Sequence, residues 1–198
     1  MATRRMGLES SASRTALMDG VEAVMRDQGY AALTARSVAE RAGLKHQLVY
    51  YYFQTMDDLL MATYRRHTDR VMAQVEAAFA STRPLHAFWR VWSEPADARL
   101  NMEFLVMANH NAAIRDHTVS FGETIRRIGL DHVQRLGGPE ALDRRVFTPF
   151  AVTNVIAAIG GILGLEATLG IRGGHGEARA MVEWCLDLVE PEPAAAQP

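Results

Sequence analysis

The sequence predicts an all-α protein, an N-terminal three-helix helix-turn-helix followed by a larger helical domain, and three observations predict it. Apolar residues recur at three- and four-residue intervals along nearly the whole chain, the period of a helix with one buried face. No segment alternates apolar and polar residues as a half-buried strand does. Gly29, Gly43, Pro84 and Pro95 stand where helices should stop or start. Glycine accepts the left-handed conformation of a helix end, and the first helical turn has no use for the N–H that proline lacks.

The first helix is expected from Ser13 to Gln28, with Leu17, Val21, Val24 and Met25 on one stripe and Ser11 or Ser13 as N-cap. Thr34 caps a second, short helix in which Val38, Ala39 and Ala42 face inward and which Gly43 ends. "KHQLVYYYF" makes a third, with Val49 and Phe53 pointing the same way as Leu44. Two short helices joined by a glycine turn and laid on a longer one form a helix-turn-helix. Further helices are expected over about Thr55 to Ala80, Pro84 to Trp92, Pro95 to about Ala108, Asn111 to Leu136, Glu140 to Leu169 and Glu177 to Val189. "GGP" follows the fourth of these, and the mobile, proline-rich tail "EPEPAAAQP" closes the chain.

Composition excludes whole classes. With 48% hydrophobic residues over 198 positions the chain is neither disordered nor fibrous. Its single cysteine cannot form an internal disulfide and its N-terminus has no apolar signal-peptide core, so a cytoplasmic location is expected. The apolar stretch Phe147 to Ile171 approaches membrane-span length but holds Pro149, Asn154, four glycines and Glu166, so no membrane association is expected. Residues 1–53 carry seven basic against five acidic side chains, the rest fourteen against eighteen, so the basic charge lies toward the N-terminus. The chain's only lysine, Lys45, is in that part.

The segment "LTARSVAERAGLKHQLVYYYFQTMDDLL" resembles the TetR family of bacterial transcriptional regulators over about residues 12 to 60. The matching elements are Leu33-Thr34, Val38-Ala39, Ala42-Gly43-Leu44, Val49 to Phe53 and Leu59-Leu60. The resemblance implies a DNA-binding domain over residues 1–54, a ligand-binding and dimerisation domain over 55–190 and a tail over 191–198. The sequence has no phosphate-binding glycine loop after a strand, no paired metal motif and no nucleophile elbow, so no enzymatic activity and no cofactor are expected. The partners the resemblance implies are double-stranded DNA with a palindromic operator, a small-molecule effector and a second copy of the chain.

Chemistry assigns roles within that frame. A recognition helix enters the major groove, where base edges present readable donors and acceptors. Lys45, His46 and Gln47 lead the helix. Lysine donates to guanine or phosphate, and glutamine pairs bidentately with adenine. Leu48 suits a thymine methyl, and by similarity to the family Tyr50 and Tyr51 reach phosphates or base edges while Arg36 reads a base. Thr34 offers its hydroxyl and neighbouring N–H groups to a phosphate. Met56 stands where the family commonly has lysine, which removes a phosphate contact unless Arg4, Arg5 or Arg14 supplies it from a flexible arm.

Trp89, Trp92, Met102 and Phe104, with His110, His117 and Phe121, are the candidate effector residues, an aromatic and methionine-rich set suited to an apolar or amphipathic molecule. An ordinary core accounts for many of the same residues. His110, Asp116 and His117 lack metal-ligand spacing, so no metal site is expected. Ala157, Gly160, Gly161 and Gly164, together with Met181, Cys185 and Leu188, are the candidate dimer contacts, with Cys185 an apolar filler rather than a nucleophile. A helical enzyme or a protein-binding adaptor remains the alternative, and each predicts no sequence-specific DNA binding.

Overall fold

The computed structural model describes residues 2–93, 97–136 and 145–191, with backbone only for 2–11. The described residues form nine α-helices and a 3-10 turn. In chain order they are α1 (Ala2–Gln28), the turn Tyr30–Ala32, α2 (Ala35–Arg41), α3 (Gln47–Tyr52), α4 (Met56–Phe79), α5 (Pro84–Ser93), α6 (Ala98–His110), α7 (Ala112–Leu136), α8 (Pro149–Thr168) and α9 (His175–Val189). The chain divides into two compact units, residues 1–69 with 100–118 and residues 70–99 with 119–198. The first holds α1 to α3, the second α5, α8 and α9, while α4, α6 and α7 contribute residues to both.

Two element starts differ from expectation. Ser11 and Ser13 lie inside α1 rather than capping it, and the backbone of Arg4 and Arg5 is helical rather than a flexible arm. No proline bars a helix before Ser13, and alanine, arginine, methionine, leucine and glutamate there are strong helix formers. The helix expected from Glu140 begins instead at Pro149, since proline disfavours helical geometry in the residue before it; Thr148 is extended and caps Ala151 N–H at 3.1 Å. Glu140 itself, Pro95, the "GGP" stop and the tail beyond residue 191 lie outside the described residues.

In the first unit the predicted stripe of α1 is the core. Leu17, Val21, Val24 and Met25 are at most 1% exposed, and α1 packs with Val38 and Ala39 of α2, Val49 and Phe53, Leu59 of α4, and Phe104 and Met107 of α6. The second unit packs Val75 and Phe79 of α4 with Leu85, Phe88 and Trp89 of α5, Ile125 of α7, Ile156 and Leu163 of α8, and Val182 and Leu186 of α9. α8 is long and apolar enough to cross a membrane by length and composition. One face of it packs on α5, through Gly160.

Candidate nucleic-acid interface and effector residues

Local chemistry sets the recognition helix. Thr34 and Ser37 form a capping box at the start of α2, with Ser37 N–H donating to Thr34 Oγ1 at 3.0 Å and Thr34 N–H to Ser37 Oγ at 2.9 Å. Gly43 ends the helix at φ +67°, in the left-handed region. The N–H groups of Gly43 and Leu44 return to the carbonyls of Glu40 (3.2 Å) and Ala39 (2.9 Å), the paired bonds of a Schellman motif, and Leu44 is packed against the core. α1 meets α2 closely at Gly20, where an added Cβ would lie 2.7 Å from the Val38 carbonyl oxygen.

α3 is held from behind and open in front. Val49 (0% exposed) and Phe53 (4%) anchor it in the core, whereas Lys45, His46, Gln47, Tyr50 and Tyr51 are exposed, the last at 70%. Leu48 N–H and Val49 N–H donate to the carbonyls of Lys45 (3.0 Å) and His46 (3.1 Å), so these two residues form the turn that leads into α3. The Tyr51 and Tyr52 rings meet edge to face at 4.9 Å. Leu48 is half-buried rather than fully outward. Arg36 donates to Glu40 at 2.9 Å, an exposed pair weak enough to be exchanged for another acceptor. The Thr34 hydroxyl is taken up by the cap, donating to Ser37 Oγ at 3.0 Å, which leaves the first main-chain N–H groups of α2 as its donors to an incoming acceptor.

The candidate effector residues fall in two packed clusters. Phe104 stacks on Tyr64 at 4.5 Å, and Tyr64 meets the His117 ring at 5.1 Å, all in the first unit. Met102 is half-buried and His110 exposed in the same unit. Trp89, Trp92 and Phe121 belong to the core of the second unit, where Trp92 meets Phe88 edge to face at 6.0 Å. Trp92 Nε1 is shielded from solvent and has no hydrogen-bond partner among the described residues. The sequence reading missed His67, 2% exposed, whose Nε2 meets Asn101 Oδ1 at 2.5 Å; a lone histidine on a stripe of α4 gave no signal.

The seven candidate dimer residues also divide. Met181, Cys185 and Leu188 are exposed along α9, in line with Trp184, which their spacing implies and the sequence reading left out. Ala157 is half-buried, and an added Cβ at Gly161 would meet open space. Gly160 and Gly164 are buried within the chain, and the close approach expected at Gly160 is made by α5 of the same chain, where a Cβ would lie 2.8 Å from Trp92 Cβ. Val155 and Ile162 of α8, and Val146, Phe147 and Phe150 at its start, are exposed as well.

The profile of the family described as bacterial regulatory proteins, tetR family, matches residues 17–63. The HTH-type transcriptional regulator BetI of Rhizobium meliloti (strain 1021) is 33% identical over 91 residues, 44% of this chain and 44% of that protein, so the match spans less than half of the relative's length. A TetR transcription regulator from Haloarcula marismortui ATCC 43049 shares the fold at a TM-score of 0.71 and 21% identity over 90% of this chain and 98% of that one. A transcriptional regulator from Saccharomonospora viridis, solved in complex with choline, shares it at 0.74 and 16% identity over 89% and 96%. The match to the tetR family of bacterial regulatory proteins thus takes in α2, α3, the second part of α1 and the start of α4, and the likeness in fold extends over about nine-tenths of the chain.

Proposed function

We propose that the protein is a dimeric transcriptional repressor that leaves a palindromic operator when a small molecule binds. The observation that carries the reading is α3, whose Val49 and Phe53 are buried while Lys45, Gln47, Tyr50 and Tyr51 stand exposed around a helix the major groove admits. Residues 1–54 serve as the DNA-reading part and 55–190 as the sensing and dimerising part. Lys45 and Gln47 read bases, with His46, Leu48 and Arg36 beside them, and the tyrosines and the start of α2 hold phosphates. One short helix alone supplies little affinity. Two of them, related by two-fold symmetry, reach half-sites about 34 to 36 Å apart.

The second copy docks on α8 and α9. The exposed apolar side chains of Val155, Ile162, Met181, Trp184 and Leu188 support this, as does an apolar groove of about 390 Å³ between the two helices lined by Val152, Ile156, Val182 and Cys185. The effector is mostly apolar with one hydrogen-bond acceptor, to which the indole N–H of Trp92 donates. Choline belongs among the candidates, because a neighbour in fold binds it and tryptophan faces attract quaternary ammonium groups. Coupling runs along α4, whose residues to Asp69 group with the DNA-reading helices and whose residues from Arg70 group with Trp89 and Trp92.

The test is fluorescence anisotropy with DNA from the protein's own upstream region. Saturable, sequence-selective binding that a screened effector weakens is the expected result. By reciprocity the operator then weakens effector binding by the same factor. Equal affinity for operator and scrambled DNA would sink the reading.

A further inference from the structure

A cleft of about 720 Å³ opens between α1, the end of α3 and α4, within the first compact unit. Its size is that of a small-molecule site. The floor is apolar, with Met18 (6% exposed) and Phe53 (4%) buried and Met61 and Ala62 half-buried beside them. The rim is charged, with Arg14, Arg65 and Arg66 against Asp58 and Asp69.

Two of those five charges are committed inside the fold. Asp58 accepts from the N–H (3.0 Å) and hydroxyl (2.8 Å) of Thr55 as the cap of α4. Arg66 bridges Asp19 and Glu22, each at 2.7 Å. Arg14 and Arg65 are exposed and have no carboxylate partner among the described residues, and the Arg14 guanidinium lies 4.8 Å from the centre of the Phe53 ring. Asp69 is likewise uncommitted, so the free charges of the rim leave a single net positive charge. Arg66 adds a buried donor, its Nε being shielded from solvent and without a hydrogen-bond partner among the described residues.

We infer that this cleft binds a small organic monoanion, one carboxylate or phosphate ester held by Arg14 and Arg65 with its apolar body over Phe53, Met18 and Met61. Guanidinium groups pair with either oxyanion in the same forked geometry, and the apolar floor distinguishes such a ligand from a bare inorganic ion. One net positive charge suits a monoanion better than a polyanion. The site shares no residue with the candidate effector set. Its occupant touches Tyr52, Phe53 and Gln54, the end of the recognition helix and the residues that follow it, so the bound anion bears directly on the part that reads DNA.

The experiment is methionine-methyl NMR on the full chain, titrated with benzoate, phenyl phosphate and neutral benzamide. The methyl signals of Met18 and Met61 should shift saturably with an anion and not with benzamide. The difference between benzoate and phenyl phosphate identifies the head group. In the Arg14→Gln/Arg65→Gln variant, which replaces two exposed side chains and breaks no ion pair among the described residues, the dissociation constant should rise about tenfold or more while the thermal melt shifts little. No saturable shift at millimolar anion would overturn the proposal, and so would unaltered affinity in the variant. Loss of operator affinity in the variant with anion binding intact would assign the two arginines to the DNA backbone and overturn it equally.

Discussion

The carboxylate of Glu190, just past the end of α9, closes the N-terminus of α5 by accepting the main-chain N–H of Leu85 at 3.0 Å. The same group accepts His86 N–H at 3.1 Å and meets His86 Nδ1 at 2.9 Å, while Arg83 donates to the Glu190 carbonyl at 3.1 Å and to Asp187. A negative charge at a helix N-terminus is favourable both as acceptor and against the helix dipole. Glu190 is 7% exposed, so truncation leaves buried donors without partners. Glu190→Ala should lower the unfolding free energy by about 2 to 3 kcal/mol in urea titrations, and Glu190→Gln by less, because the amide oxygen still accepts.

Thr34 and Gln47 should separate stability from recognition. The Thr34 hydroxyl is part of the capping box, so Thr34→Ala should cost about 0.5 to 2 kcal/mol of stability and weaken all DNA alike. The Gln47 side chain is exposed and makes no hydrogen bond among the described residues, so Gln47→Ala should leave the melt unchanged and cost about 1 to 3 kcal/mol on the operator alone. Anisotropy on operator and random duplexes reads both. Equal losses on the two duplexes for Gln47→Ala would contradict its role.

The recognition unit was legible because its signals are local. Thr34, Gly43 and the Val49/Phe53 spacing each state a cap, a turn or a buried face within a few residues, and the structure places all three as their chemistry dictates. The larger domain was less legible because its contacts join residues far apart in sequence. Glycine spacing along α8 says that something approaches closely at Gly160, but not that Trp92 of the same chain does. Aromatic clustering says nothing about which core each ring enters, and Phe104 and Trp89 enter different ones. The anchoring of the turn after α1 by Glu103, which accepts Tyr30 N–H at 2.6 Å, spans 73 residues and leaves no local trace.

Substitutions on α8 and α9 should distinguish a folding lesion from an assembly lesion. Gly160→Val places carbon against Trp92, 2.8 Å from its Cβ and 3.0 Å from its main-chain carbon, and should destabilise the fold by about 1 to 3 kcal/mol through overpacking. Leu188 is 48% exposed, so Leu188→Glu should retain full helical circular dichroism yet sediment as a monomer with weakened operator binding. A Leu188→Glu protein that still sediments as a dimer would place the second copy on another face.

The last prediction concerns acid. The Thr68 hydroxyl donates to the Arg65 carbonyl at 2.9 Å, so its oxygen accepts from His117 Nε2, also at 2.9 Å, and the neutral ring carries its proton on Nε2. Burial of the ring, reinforced by the positive charge of Arg65 and opposed by Asp69, holds the His117 pKa below the ordinary 6.5. The folded state therefore binds fewer protons here than the unfolded chain does. This contribution to stability is complete above pH 6.5 and is lost as pH falls through the depressed folded value. His117→Gln keeps an N–H donor toward Thr68 and removes the titration. Urea midpoints measured from about pH 8 to about pH 5 should fall less steeply for His117→Gln than for the wild type, with the two curves converging in slope at the alkaline end. Parallel curves across the whole range would show that His117 is not the group that acid acts on.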